Sequence, residues 1–345
     1  MAWNQRVRRL AAGGMMLALA AVVAACGSTS SPSSSGGGQS NSQSKNSKPV
    51  SVAFFGFASA NSFAQATWAG VQKAANQLHA TAHFFDGNFS ATTQVQQMKD
   101  ALVSKQYNVW VVQANDGAAV VPEVQRAVHE GITVVAEFTP IGTQYNTAKP
   151  QVPGIISFVD VPTYNGKMLG KLGVEACGSL NPCNVAYLQG DPSLPLDNAR
   201  TQAVIKELKT DSNVHVVGSY VGGYTQSQGM SVGQDLLQAH PNVNVIIGSS
   251  QAIEGVQIVL QHDNLLGKIK LIGNGGSVQA VDAVHQGKWF ATYYIPETTE
   301  GYDATKYGIE HERGQKVPMT TNAAKVFPVL GTKQDLKGIQ GQYKD

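Results

Sequence analysis

The segment TTQVQQMKDALVSKQYNVWVVQAND, residues 92–116, holds one complete passage from helix to strand. Val95, Met98 and Leu102 recur at three- and four-residue spacing, which paints a single apolar stripe on a helix. After a polar break, Asn108 to Val112 (NVWVV) is apolar on both faces and rich in β-branched residues, as a strand covered on both sides must be. The same alternation extends in both directions. VSVAFFGF (Val50 to Phe57), TAHFF (Thr81 to Phe85), ITVVAEF (Ile132 to Phe138) and GIISFV (Gly154 to Val159) read as further strands. Trp68, Val71, Ala75 and Leu78, then Val121, Val124 and Val128, supply the helical stripes between them. A second series follows: Asn184 to Gly190, Val214 to Tyr220, Val243 to Ser249, Ile269 to Asn274 and Phe290 to Ile295. Two tandem sets of five βα units predict an α/β protein of two doubly wound parallel-sheet lobes, joined near Asp160 to Pro162. Open sheets of this kind bind ligands beyond the carboxyl ends of their strands, so two facing lobes place two sets of loops around one cleft.

Outside this repeat the chain begins differently. Arg6, Arg8 and Arg9 precede an apolar run that ends in Val23-Ala24-Ala25-Cys26. This resembles a bacterial lipoprotein signal, which implies cleavage after residue 25 and lipid on Cys26. A plain secretory signal or an uncleaved anchor are the alternatives. An anchor, however, needs about 20 apolar residues, and a plain signal does not require that cysteine. Gly27 to Ser47 is almost entirely Ser, Gly, Gln, Asn and Thr, a flexible tether with nothing to bury. Without the three arginines the formal charge of +2 falls to −1, which argues against nucleic acid as a partner. With 42% hydrophobic and 14% charged residues the chain can fill two cores, and past residue 50 no apolar run is long enough to span a bilayer. Cys177 and Cys183 are left as a pair that in an oxidising compartment commonly bonds, two buried free thiols being the alternative. Neither has a histidine or third cysteine at ligand spacing, so no metal is expected.

Over about residues 50–335 the chain resembles the sugar-binding branch of the type I periplasmic binding proteins, which feed ABC importers. The resemblance is carried, in order, by Asn61-Ser62-Phe63, the 92–116 segment, VQRAVHEGITVVAEF, Asp160 with Tyr164-Asn165-Gly166, AVIKELK and DLLQAHPNVNVII. It implies a Venus-flytrap pair of lobes with three crossings, near Asp160, near Pro296 and near Pro318 to Thr321, with Asp160 and Pro296 as hinge positions. The expected division is 1–25 signal, 26–48 tether, 49–159 plus 296–320 first lobe, and 160–295 plus 321–345 second lobe. The resemblance further implies ligand contacts from Asn61, Phe63 and Glu137 in the first lobe and from Arg200, Ser250 and Asn274 in the second. Asn61 and Ser250 also have plain readings as helix caps, Phe63 as core and Arg200 as a surface helix residue. Three positions depart from the family pattern: Phe138 stands where an arginine is common, Gly275 where an aspartate is, and Ile295 near a customary glutamine. A fully hydroxylated pentose would leave groups unpaired there, so a larger or less polar ligand is expected, such as a modified sugar, polyol, nucleoside or aromatic compound, with Phe138 in contact. Arg200 and Phe63 are expected in an open, solvated cleft.

Enzyme readings are weak. Gly248 to Ala252 (GSSQA) approaches a nucleophile elbow, with Asp282 and His285 downstream in triad order, which keeps an esterase using Ser250 as the rival reading. The final glycine is missing, however, and Asp282 and His285 fall on one short helix. No phosphate-binding loop is present, His311-Glu312 lacks the second histidine of a zinc helix, and no DNA-binding helix pair opens the chain. The expected function is therefore that of a monomeric, lipid-anchored, extracytoplasmic solute receptor without cofactor or chemistry of its own. It would serve an ABC permease and its ATPase, or alternatively a ligand-sensing receptor.

Overall fold

The computed structural model describes residues 49–327 and 331–345; the signal segment, Cys26 and the tether lie outside the described residues. The first series of apolar runs forms β1 (Ser51–Gly56), β2 (Thr81–Asp86), β3 (Val109–Val112), β4 (Thr133–Phe138) and β5 (Ile156–Val159), with helices α1 (Ser62–Gln77), α2 (Ala91–Ser104) and α3 (Val121–His129) between them. The second forms β6 (Cys183–Gln189), β7 (Val214–Val221), β8 (Val245–Ile247), β9 (Lys270–Asn274) and β10 (Ala291–Tyr293). Its helices are α4 (Pro162–Cys177), α5 (Pro195–Leu208), α6 (Gln226–Ala239), α7 (Ser250–His262) and α8 (Val278–His285). The chain then adds α9 (Glu297–Glu312), β11 (Thr320–Asn322) and α10 (Ala323–Val326).

Every described ladder is parallel. The first sheet runs β11-β5-β4-β3-β1-β2 and the second β10-β9-β8-β6-β7, so both lobes share one winding order apart from the added edge strand β11. In that order the sheet reverses direction beside its first strand, and the loops leaving the carboxyl ends there open a crevice. Phe54, Phe55 and Trp110 are buried in the first lobe, as strands covered on both faces require.

The chain crosses from the first sheet at Asp160, directly after β5, into α4, which packs on α5 and the second sheet. It returns at Pro296 into α9, which lies along α1 and across β3 and β4. That approach needs small residues: a Cβ on Gly70 would stand 2.2 Å from the Thr298 carbonyl oxygen, and one on Gly301 2.5 Å from that of Thr67. The third crossing differs from the expectation. Thr320, Thr321 and Asn322 pair with Ser157, Phe158 and Val159, so Pro318 to Thr321 completes the first sheet rather than leaving it. The second lobe is rejoined by Thr332 bridging Ala291 and Tyr343 bridging Ser277. The missed strand is three residues of Thr, Thr and Asn, too short and polar to show a period.

Cys177 closes α4 and Cys183 opens β6, and the two are disulfide-bonded with their Cα atoms 5.7 Å apart. Among the described residues no helix is long and apolar enough to cross a membrane.

Candidate functional site

Loops from both lobes line a shared cavity. Phe57, Asn61, Phe63, Phe89 and Phe138 line it from the first lobe, and Leu194, Leu196, Arg200, Tyr224, Gln251, Asn274 and Ile295 from the second. The lobes touch around it. Gln251 Nε2 donates to Ser62 Oγ at 2.9 Å, Ser62 Oγ donates to Asp345 Oδ1 at 2.8 Å, and Phe89 stacks on Tyr224 with ring centres 5.8 Å apart and planes 11° from parallel.

Local chemistry explains how each first-lobe side chain arrives. Asn61 is the N-cap of α1, its Oδ1 accepting the Ala64 N–H at 3.0 Å, which holds its amide at the cavity wall. The cap and binding readings of Asn61 are thus compatible. Phe63, the second residue of α1, meets Phe138 edge-on at 4.8 Å. Phe138 has φ +58°, and the Thr139 N–H donates to the Glu137 carbonyl across it, a γ-turn that a bulky residue adopts only under strain. Phe89 is also left-handed, at φ +52° beside Asn88 at +47°. Asp86 holds that turn by accepting the Asn88 N–H at 2.9 Å, the Ser59 N–H at 2.9 Å and the Ser59 hydroxyl at 2.5 Å. Burial alone would raise the Asp86 carboxyl, yet these hydrogen bonds outweigh it and pull it below the ordinary range. Two strained phenylalanines facing one cavity follow the pattern in which backbone strain, of order 1–3 kcal/mol each, gathers at ligand sites.

In the second lobe Arg200 is only 5% exposed and its Nη1 donates to Asp197 Oδ1 at 2.9 Å. Tyr224 donates its hydroxyl to the same carboxylate at 2.7 Å. Burial pushes Asp197 up, opposed first by the Arg200 charge; Arg200 itself is raised by the surrounding acidic groups despite burial. A second chain of bonds starts at the crossing. Asp160 accepts from the Tyr293 hydroxyl at 3.2 Å and from Asn165 Nδ2 at 3.0 Å, and the same Nδ2 donates to Asn274 Oδ1 at 3.3 Å. Burial lifts Asp160 to about 6 against the pull of Asn165, Arg200 and Tyr293.

Of the seven expected ligand contacts, Asn61, Phe63, Phe138, Arg200 and Asn274 line the cavity. Glu137 does not. Successive strand residues face opposite ways, so with Phe138 turned into the cleft, Glu137 enters the layer beneath α9, wholly buried beside Glu297 and Glu300. Ser250 is also displaced: it is wholly buried, a Cβ on Gly275 would stand 2.7 Å from its Oγ, and the cap of α7 is Ser249, whose Oγ accepts the Ala252 N–H. Gln251 reaches the cavity instead. The open cleft expected around Arg200 is likewise overturned, because Asp197 and Tyr224 close over the guanidinium. Gly275, at φ +151°, has no room for the aspartate of the family pattern. The esterase geometry is not assembled, since Ser250 Oγ donates to Gln251 Oε1 at 3.4 Å and His285 Nε2 pairs with the Leu336 carbonyl at 2.9 Å. Sequence reading missed Phe57, Phe89, Leu194, Leu196, Tyr224 and Gln251. All follow carboxyl ends of strands, and that rule was the available signal.

Comparison with known proteins agrees with this architecture. The model of the family described as periplasmic binding protein domain matches residues 52–316. The D-xylose-binding periplasmic protein of Haemophilus influenzae is 21% identical over 253 residues, covering 70% of this chain and 71% of its own. A solute-binding protein of an ABC transporter from Actinobacillus succinogenes, solved with bound D-allose, superimposes with TM-score 0.73 at 21% identity, over 84% of this chain and 100% of its own. One from Mycobacterium smegmatis with bound glycerol gives 0.72 at 22% identity, over 86% and 100%. Matched across both lobes and folded with the same pair of parallel sheets, this chain belongs to the periplasmic binding protein domain family and has its type I fold.

Proposed function

We propose that this protein captures a small carbohydrate-like solute between its lobes and delivers it to an ABC permease, while lipid on Cys26 and the tether that follows hold it at the outer face of the cell membrane. A single observation carries the reading: the cavity is built jointly by residues of both lobes, so ligand and lobe closure are coupled. The curated relative is named for D-xylose and the similar structures hold D-allose and glycerol, all small and rich in oxygen. Asn61, Phe63, Phe138, Arg200 and Asn274 are the proposed contacts, joined by Gln251 and Tyr224, with Asp160 and Pro296 at the hinge.

The test is a melting screen against pentoses, hexoses, their ethers and deoxy forms, cyclitols and polyols. At a hundredfold excess over Kd a ligand that binds only the folded state stabilises it by about 2.7 kcal/mol, which raises Tm by roughly 5 to 10 °C for lobes of this size. A hit should also be taken up by the source cell and lost from uptake when the gene is deleted. No shift with any compound of the panel refutes the carbohydrate-like ligand, and unchanged uptake of a hit refutes delivery.

A further inference from the structure

We infer that the cavity selects a neutral ring compound whose oxygens are mainly hydrogen-bond acceptors, such as an O-alkylated or deoxygenated sugar or a lactone, over a polyhydroxylated sugar. The inference rests on the carbohydrate-like reading and narrows it.

A hydroxyl is both donor and acceptor, and a buried one needs an acceptor for its proton. Carboxylates serve that purpose well because each offers several lone pairs. This cavity has no carboxylate among its described lining residues. The nearby Asp197 is consumed by Arg200 and the Tyr224 hydroxyl, and Asp160 by Asn165 and Tyr293. The carboxamide oxygens are also engaged: that of Asn61 by the Ala64 N–H, that of Asn274 by Asn165 and that of Gln251 by the Ser250 hydroxyl. Each of these oxygens keeps a second lone pair, but the amide groups left with no partner at all are donors. Among the described residues, Nδ2 of Asn61 and Nδ2 of Asn274 have no partner, and Arg200 keeps N–H groups beyond the one given to Asp197. Both amide orientations are locked, because one oxygen must face a backbone N–H and the other must face the Asn165 Nδ2 that Asp160 orients. Neutrality follows from charge: the Arg200 guanidinium is already paired with Asp197 at 2.9 Å and faces Asp160 as well, which leaves no net positive charge for an anion. Phe63 and Phe138, at an angle of 64° to each other, fill with hydrocarbon the space where additional hydroxyls would need partners.

Titration calorimetry decides it with three ring frames, xylose, glucose and galactose, each as the free sugar, the fully O-methylated methyl glycoside and the open-chain aldonate. In any frame that binds, the methylated compound should be tighter than the free sugar by about tenfold or more, the factor attached to one buried polar group left unpaired. The aldonate should be the weakest. The variant Asn61→Asp keeps an N-cap of equal quality and replaces a donor by an acceptor, so it should move the preference toward the free sugar by about tenfold. A free sugar that binds as tightly as its ether, an aldonate that binds tightest, or an unchanged preference in Asn61→Asp overturns the inference and leaves the transport reading standing. Absence of binding by every compound in all three frames overturns the carbohydrate-like reading, and this inference with it.

Discussion

Replacing Glu137 by Gln should make the folded protein much less sensitive to rising pH. Glu137 is wholly buried, and Glu297 and Glu300 each bring a carboxyl oxygen within 4.8 Å of its own. Burial therefore raises its pKa from 4.5 to about 8, with Gln113 and Glu297 pulling weakly the other way. Burial and mutual repulsion likewise raise Glu297 and Glu300 well above the ordinary range, Asp160 adding to the repulsion on Glu300. The sign follows from proton binding. Between 4.5 and about 8 the folded protein holds a proton on Glu137 that the unfolded chain releases, so stability is complete at pH 4.5 and below and declines as pH rises to 8. At about 1.4 kcal/mol per unit, the interval bounds the loss at about 5 kcal/mol. Because Glu297 and Glu300 compete for the same protons, Glu137→Gln should recover roughly 2 to 5 kcal/mol at pH 8 and change little at pH 5. Urea unfolding of parent and variant at both pH values measures this as a change in midpoint at constant slope. Parallel stability profiles for the two proteins, or a variant that is weaker at pH 8, would refute the argument.

Three further outcomes are expected. Arg200→Ala should destabilise the unliganded protein by about 3 to 5 kcal/mol, because it leaves Asp197 buried without its cation, and adding Asp197→Asn should restore most of the loss; an unchanged midpoint in the single variant would show that the pair is solvated. Gly70→Ala drives a methyl group to within 2.2 Å of the Thr298 carbonyl oxygen and should cost about 1 to 3 kcal/mol by prising α9 from α1, as read by thermal melting, whereas a neutral effect would mean that the two helices yield. Cys26→Ala should abolish fatty-acid labelling and release the protein from membranes; persistent labelling would place the lipid elsewhere or exclude it.

Periodicity made the strands and helices legible because each is a local pattern. Val95, Met98 and Leu102 share a helical face whatever surrounds them, and NVWVV must be covered on both sides to avoid water. The tandem repeat of that pattern predicted two lobes, and the rule that ligands gather beyond strand ends placed the cleft between them, while Asn61, Phe138 and Asn274 were singled out by the family resemblance. Sequence by itself left Cys177 and Cys183, at a sequence separation of 6, as a candidate pair, and the fold that brings their Cα atoms to 5.7 Å decided that they bond. Tertiary structure alone decided the direction of individual side chains. Glu137 and Phe138 are neighbours on one strand and so face opposite ways, but only the fold decides that Glu137 goes beneath α9 and that Phe138, at the centre of a γ-turn, goes into the cavity. Ser249 rather than Ser250 caps α7, a shift of one residue that brings Gln251 rather than Ser250 to the cavity wall. The state of Arg200 was equally invisible: its partner Asp197 also accepts from Tyr224, which lies beyond another strand, and only the packing of the second sheet brings that hydroxyl to the carboxylate. Local chemistry sets which elements form, while the polar inventory left to a ligand is a sum over contacts between segments far apart in the chain, and that sum exists only once the lobes are folded.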